Sequence, residues 1–207
     1  MLGTRKRPAY EHLLKRAIDL IGSSVLLCLL SPIFVVVALL VWISDGLPIF
    51  YPRRVVGCRG EFNAYKFRTM LRNADAILAA DPELRDEFTR DFKLKSDPRV
   101  TRTGAWLRKY SLDELPQLLN VLIGQMSLVG PRMITAEELS KYGQYQELLI
   151  GVKPGLTGYW QVRGRQDVSY EQRVQMDVQY ITQWSLGLDL MILFETPLRV
   201  IRGEGAY

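Results

Sequence analysis

The sequence predicts a mainly α chain with a few short β-strands, an α+β protein in which a re-entrant membrane helix-break-helix precedes a compact cytoplasmic domain carrying interfacial helices. Three observations lead there. An uncharged apolar run from Leu20 to Ser44 covers roughly 25 residues, more than the roughly 18 that mark a bilayer-inserted helix. Ser31-Pro32 interrupts that run near its middle, and proline removes a backbone donor and crowds the preceding turn. Basic residues flank it on both sides, Arg5, Lys6, Arg7, Lys15 and Arg16 before and Arg53, Arg54, Arg59, Lys66 and Arg68 after. At 207 residues there is room for one ordinary domain, divided here into 1–45, the basic segment and membrane hairpin, and 46–207, the cytoplasmic domain.

The membrane segment has two readings on hydropathy alone, a spanning helix or a hairpin that returns to its own side. Basic flanks mark the cytoplasmic face, and a hairpin satisfies that rule at both ends. The run is longer than the core of a cleaved leader, and no small-residue cleavage site follows it. Beyond it, Asp45-Gly46 and Pro48 form a turn. Ile49 to Tyr51 and Glu61 to Phe67 then read as two short strands around Gly57-Cys58-Arg59-Gly60. Leu71 to Leu78 and Glu83 to Phe92 read as helices, the second opened by Asp81-Pro82. Asp97 to Thr101 is extended or turn-like, and Gly104 to Lys109 a short helix. Leu112 to Leu122 reads as a helix closed by Gly124, with Leu115, Leu118, Leu119 and Leu122 on one face. Tyr170 to Trp184 is an amphipathic helix, and Leu186 to Ile201 an apolar stretch with Pro197 as a kink or start and a second lipid contact.

Composition narrows the chemistry. Lys and Arg number 27 against 22 Asp and Glu, a balance suited to an anionic partner such as a lipid surface, a nucleotide or a phosphate; no nucleic-acid partner is expected. Cys28 and Cys58 read as free thiols. His12 is the only histidine, which excludes His-based metal clusters and Ser-His-Asp triads. Chemistry therefore falls to carboxylates, bases other than histidine, and a metal if any.

Ser111-Leu112-Asp113-Glu114 has the form of a helix capping box, which by itself accounts for these residues. The same position keeps a carboxylate ionised where phosphate is also attracted, which makes Asp113 a nucleophile toward phosphorus and Glu114 a proton or metal partner. Arg99, Arg108 and Arg132 lie on either side, as solvated charges or as phosphate contacts. Lys66 and Arg68 share one face of a strand, where they grip a diphosphate or meet lipid headgroups.

Taken in order, Lys15-Arg16-Ala17-Ile18-Asp19, Ser31-Pro32, Lys66-Phe67-Arg68-Thr69-Met70, Asp97-Pro98-Arg99-Val100-Thr101, Ser111 through Gln117, Asn120-Val121-Leu122, Met126 through Arg132, Lys153 through Gly158 and Gly164-Arg165 resemble the small monotopic phosphoglycosyl transferases, also called bacterial sugar transferases. The likeness runs nearly end to end. It implies a ping-pong transfer with Mg²⁺, in which Asp113 attacks the sugar-linked phosphate of a UDP-sugar, expels UMP, and passes the sugar phosphate to polyprenyl phosphate. Asp113 is then nucleophile and metal ligand, Glu114 its acid/base partner, and Lys66, Arg68, Arg99 and Arg132 the phosphate and nucleotide contacts. Ser31 and Pro32 are the break of the re-entrant helix. The resemblance places the enzyme on the cytoplasmic face of a bacterial inner membrane, among lipids and with pairing into a homodimer allowed, at the first membrane step of glycoconjugate or exopolysaccharide assembly. Holding the site at headgroup depth avoids extracting the lipid, at about 0.8 kcal/mol per CH₂. Val55 and Met133 depart from the family pattern, touching sugar choice or loop shape rather than the dyad. The expected form is the minimal catalytic unit, without the long N-terminal membrane domain of larger relatives. Two other readings stay open on the residues alone: a nucleotide-sugar hydrolase, and a non-enzymatic adaptor on anionic lipid.

Overall fold

The computed structural model describes residues 8–92, 94, 96–164 and 168–202. Arg5, Lys6 and Arg7 of the first basic flank, and Arg165 of the Gly164-Arg165 motif, lie outside them. The first element, α1 (Ala9–Asp45), is helical throughout, Pro32 included, and would be about 55 Å long if straight. Where the sequence predicts a break, helical structure continues, for a local reason. Proline at 32 cannot bond the carbonyl of Cys28, and the Ser31 hydroxyl donates to that carbonyl instead, at 2.8 Å. The burial of α1 reverses that of a soluble helix: Asp19, Ser23, Val37 and Val41 are buried, while Val25, Leu29, Val35, Val36, Trp42 and Ile43 are exposed. It is the one described helix long and apolar enough to cross a membrane, and it marks the chain as membrane-associated.

Next comes an antiparallel hairpin of β1 (Phe50–Gly57) and β2 (Gly60–Phe67), longer in β1 than the sequence suggests. Its register pairs Tyr51 with Lys66 and Arg53 with Ala64. Alternation therefore puts Tyr51, Arg53 and Val55 on one face with Phe62, Ala64 and Lys66. Val55, Phe62 and Ala64 turn that face into the core. On the other face Phe67 packs with Val37 and Val41 of α1.

Two helices follow, α2 (Ala74–Ala80) and α3 (Pro82–Asp91), with the Asp81 carboxylate capping α3 as predicted by accepting from the Leu84 N–H at 3.0 Å. Then α4 (Arg102–Lys109) is capped by Thr101. Gly104 inside it is required, because a β-carbon there would lie 2.1 Å from the Thr69 carbonyl oxygen. The predicted helix from Leu112 to Leu122 is split into a 3₁₀ turn, Leu112–Glu114, and α5 (Gln117–Leu122). Ser111 does not cap it. Its backbone is left-handed at φ 52° and its side chain makes no cap hydrogen bond, so the predicted capping box is absent.

The remainder is β3 (Ser127–Val129), α6 (Ala136–Leu139), a 3₁₀ stretch Ser140–Tyr145, α7 (Gln146–Ile150), β4 (Gly155–Thr157), α8 (Tyr159–Arg163), α9 (Tyr170–Gln183) and α10 (Leu186–Arg202). β3 and β4 form a short parallel pair. Gly130 and Gly155 allow it, since a β-carbon on Gly155 would fall 2.1 Å from the Gly130 nitrogen. Pro197 lies inside α10 rather than starting an element.

Both ends of α1 are fastened to this body. Near its start, Lys15 Nζ donates to the Val129 carbonyl at 2.9 Å and to Asp189 at 2.6 Å. Arg16 caps α5 by donating to the carbonyls of Val121 and Leu122, both at 2.7 Å. Asp19 accepts from the Ser127 hydroxyl and the Leu128 N–H, both at 2.9 Å. At the far end Arg68 donates to the carbonyls of Asp45 and Gly46, and the Asp45 carboxylate accepts from the Thr101 hydroxyl at 3.1 Å.

Candidate active site

Asp113 sits in the 3₁₀ turn between α4 and α5 and is 4 % exposed. Lys66, the penultimate residue of β2, brings its ammonium to 3.7 Å from Asp113 Oδ2 and 3.8 Å from Glu114 Oε1. Both separations exceed ordinary hydrogen bonds, so the cation is shared between the carboxylates and committed to neither. Asn120 of α5 holds β2 in place like a further strand: its Oδ1 accepts from the Tyr65 N–H at 3.0 Å and its Nδ2 donates to the Asn63 carbonyl at 2.8 Å. Lys66 is thereby aligned with the turn that carries the dyad.

Around this core lie three guanidinium groups. Arg108 on α4 donates from Nε to the Thr69 hydroxyl at 2.9 Å and attracts Asp113 electrostatically. Arg99 is held by Asp97 through two 2.8 Å bonds and lies over the Phe88 ring, 5.0 Å from its centroid. Arg53 pairs with the buried Glu138 at 2.7 Å and adds positive potential at Lys66 and Arg108. Burial pushes the Asp113 carboxyl above the usual carboxylate range, against the pull of Lys66, and Glu114 pushes it further. Burial likewise pushes Lys66 below the usual ammonium range, against the pull of Asp113 and Glu114. Arg108 is lowered for the same first reason. Asp97 goes the other way: burial alone would raise it, but the hydrogen bonds and charge of Arg99 hold it below the usual range.

Of the residues singled out from sequence, Asp113, Glu114 and Lys66 are brought together, with Arg99 nearby through Arg108. Arg68 is placed at the end of α1 as a cap on its last carbonyls, with Nε and Nη1 buried and unpaired. Arg132 belongs to another cluster, its guanidinium 5.3 Å from the centre of the Trp160 ring, which Arg173 also approaches at 5.1 Å. Its own neighbours there are Tyr142, Tyr170 and Asp177. Ser31 and Pro32 are exposed on α1. Arg53, Asn120 and Gln117 were not picked out as site residues. Only the hairpin register, two positions from Tyr51 opposite Lys66, could have pointed to Arg53.

The site is thus a cation shared between two adjacent carboxylates, with arginines around it, in a chain whose first helix is long and apolar. The chain belongs to the bacterial sugar transferase family, whose pattern matches residues 10–203. It is 46% identical over 198 residues to the exopolysaccharide production protein ExoY of Rhizobium meliloti, covering 93% of this chain and 88% of that protein. It is 47% identical over 205 residues to the undecaprenyl-phosphate galactose phosphotransferase of Salmonella typhimurium, covering 95% of this chain and 42% of the relative. A UDP-glucose:undecaprenyl-phosphate glucose-1-phosphate transferase of Escherichia coli is 36% identical over 211 residues, again with 95% and 42% covered. The chain thus spans less than half the length of the last two. It is an enzyme, a phosphoglycosyl transferase.

Proposed function

We propose that this enzyme moves a sugar 1-phosphate from a UDP-sugar to polyprenyl phosphate, undecaprenyl phosphate in bacteria, through a covalent intermediate on Asp113. In the first step an Asp113 oxygen forms a bond to the sugar-bearing phosphorus while the bond from that phosphorus to the UMP oxygen breaks, and UMP departs. In the second, an oxygen of the lipid phosphate bonds to the same phosphorus and the bond from that phosphorus to the Asp113 oxygen, an acyl phosphate, breaks, giving polyprenyl-diphosphate sugar and the free carboxylate. The observation that carries this reading is the buried Asp113 with Lys66 at 3.7 Å and Arg108 in its field, a nucleophile beside the charges that neutralise phosphoryl oxygens. Glu114, sharing Lys66, is the dyad's acid/base partner.

The site suits Mg²⁺, which takes one or two carboxylates and completes its shell from substrate phosphates and water. Asp113 and Glu114 are hard oxygen donors of that kind, and among the described residues no larger cluster of metal ligands exists. Bound there, the ion would neutralise diphosphate charge. Lys66, Arg53 and Arg108 orient the same oxygens from the protein side.

Fastening of both ends of α1 to one body supports a re-entrant path, with the basic flanks and the site on the cytoplasmic face of the inner membrane. An exposed stripe on α10, Leu190, Phe194, Leu198 and Ile201, supports a second contact with lipid. The relatives' names point to exopolysaccharide or related glycan assembly.

The test is UMP release by purified protein from a panel including UDP-galactose and UDP-glucose, with and without undecaprenyl phosphate and Mg²⁺, for wild type and Asp113→Asn. Lipid- and Mg²⁺-dependent turnover with one sugar, abolished in the variant, is expected. Sustained turnover without lipid would make the enzyme a hydrolase, and an active Asp113→Asn would remove the covalent intermediate.

A further inference from the structure

We propose that Gln117 is a further catalytic residue of this transfer, a neutral amide that binds the phosphoryl oxygens of the group carried on Asp113; the proposal rests on Asp113 being the nucleophile. Gln117 opens α5, is 0% exposed, and has no partner for Oε1 or for Nε2. Other described polar side chains buried to the same degree fare differently. The Ser23 hydroxyl donates to the Asp19 carbonyl, Ser127 to Asp19, and Asp177 accepts from Tyr142. Asn120, the other amide, is paired at both ends with the β2 backbone. An interior amide bare at both ends has given up water for nothing, and such a group calls for a ligand or a bound water.

Its position says which ligand. Leu115 and Pro116 both hold right-handed helical angles, the Leu118 N–H bonds the Leu115 carbonyl at 3.0 Å, and the Leu119 N–H bonds that of Pro116 at 3.1 Å. These bonds all reach three residues back, so the chain crosses the split at Pro116 from the 3₁₀ turn into α5 in right-handed angles and with 3₁₀ spacing. With that spacing residues three apart eclipse, so Gln117 lies over Glu114, one turn on from the dyad. Asp113 is itself only 4% exposed, and any movement that admits a phosphorus to its carboxylate admits it to the neighbour one turn on. A phosphoryl group on Asp113 carries oxygens that need donors. Lys66 and Arg108 supply charge, and the Gln117 NH₂ adds two donors without more charge.

Gln117→Met keeps the length and flexibility of the side chain and removes both polar groups. Assayed as purified full-length protein with undecaprenyl phosphate, Mg²⁺ and the turned-over UDP-sugar, it should lose about tenfold to hundredfold in kcat, with a smaller change in KM for the donor. Its thermal midpoint without substrate should hold or rise, because two unpaired polar groups have left the interior. The amount of covalent sugar phosphate trapped without acceptor should fall with kcat. Should the methionine variant fail to fold, Gln117→Asn, with its shorter amide, is read by the same assay. Wild-type kcat and wild-type trapping in a folded variant overturn the proposal and leave a water-bridged structural amide. Asp113→Asn, run alongside, separates the two levels: if inactive beside a fully active Gln117→Met, only the role of Gln117 falls; if active, the nucleophile assignment falls first.

Discussion

Asp113 and Lys66 are each pushed by burial toward their neutral forms, while the proposed reaction needs both charged. The acid limb of the kcat/KM profile should therefore lie above the usual carboxylate range near 4, and the alkaline limb below the usual lysine range near 10.4, giving a narrowed bell. A pH–rate profile checks it; limbs at the ordinary positions would mean that another pair controls the rate. Asp177 makes a separate prediction. Burial pushes its carboxyl up to about 7, against the Tyr142 hydrogen bond and the Arg132 backbone. Because the folded state holds this proton more tightly than the unfolded chain, its contribution is full below about pH 4 and is lost as pH rises toward 7, on the order of 4 kcal/mol over that interval. Asp177→Asn should flatten this dependence, and its unfolding midpoint should exceed that of wild type at pH 8 but not at pH 4. Among residues, the cluster of Asp113 and Glu114 with Lys66 was legible because the two carboxylates are adjacent and embedded in a recognisable motif. Ser111 was misread because a capping box needs an extended serine, and Ser111, directly behind α4, is left-handed. Arg53 was hidden because its place depends on strand register, which sequence does not print.

Elements with strong local signals were legible: the apolar length of α1, the glycine-bounded hairpin, the Asp81-Pro82 start of α3. The three-residue strands β3 and β4 were not, being too short for alternation and set by tertiary contact between glycines. The split at Pro116 has a physical cause. Proline there cannot bond the Leu112 carbonyl, and the Leu115 N–H takes that carbonyl instead at 3.4 Å, tightening the turn that carries Asp113. Asn120→Ala removes both anchors of α5 on β2 and should cost about 1–3 kcal/mol while lowering kcat, since Lys66 rides on that strand; thermal unfolding and UMP release measure the two effects. The path of α1 is testable too. In a Cys28→Ser, Cys58→Ser background, Glu11→Cys and Arg59→Cys should react with an impermeant maleimide from the same side of sealed inverted vesicles; labelling from opposite sides would make α1 a span.

Over the whole molecule, the basic residues at the start of α1 looked from sequence like membrane flanks, whereas Lys15, Arg16 and Asp19 are tertiary clamps whose partners lie far along the chain. Asp189 gathers three donors, Lys15 at 2.6 Å, the Tyr180 hydroxyl at 2.8 Å and Trp184 Nε1 at 2.9 Å. Asp189→Ala removes the acceptor the three share, leaving Lys15 and Tyr180 the Val129 carbonyl, and should cost about 3–5 kcal/mol, read as a lowered unfolding midpoint in detergent, whereas Asp189→Asn, which keeps an acceptor, should cost less. The clamp also has a consequence for biosynthesis. Lys15 and Asp189 are 174 residues apart. At bacterial elongation rates the carboxylate follows the ammonium out of the ribosome by roughly 10–35 s. During that interval Lys15 lacks the carboxylate half of its clamp. The clamp on α1 therefore cannot close until Asp189 has been made, so a helix formed early waits on one formed much later.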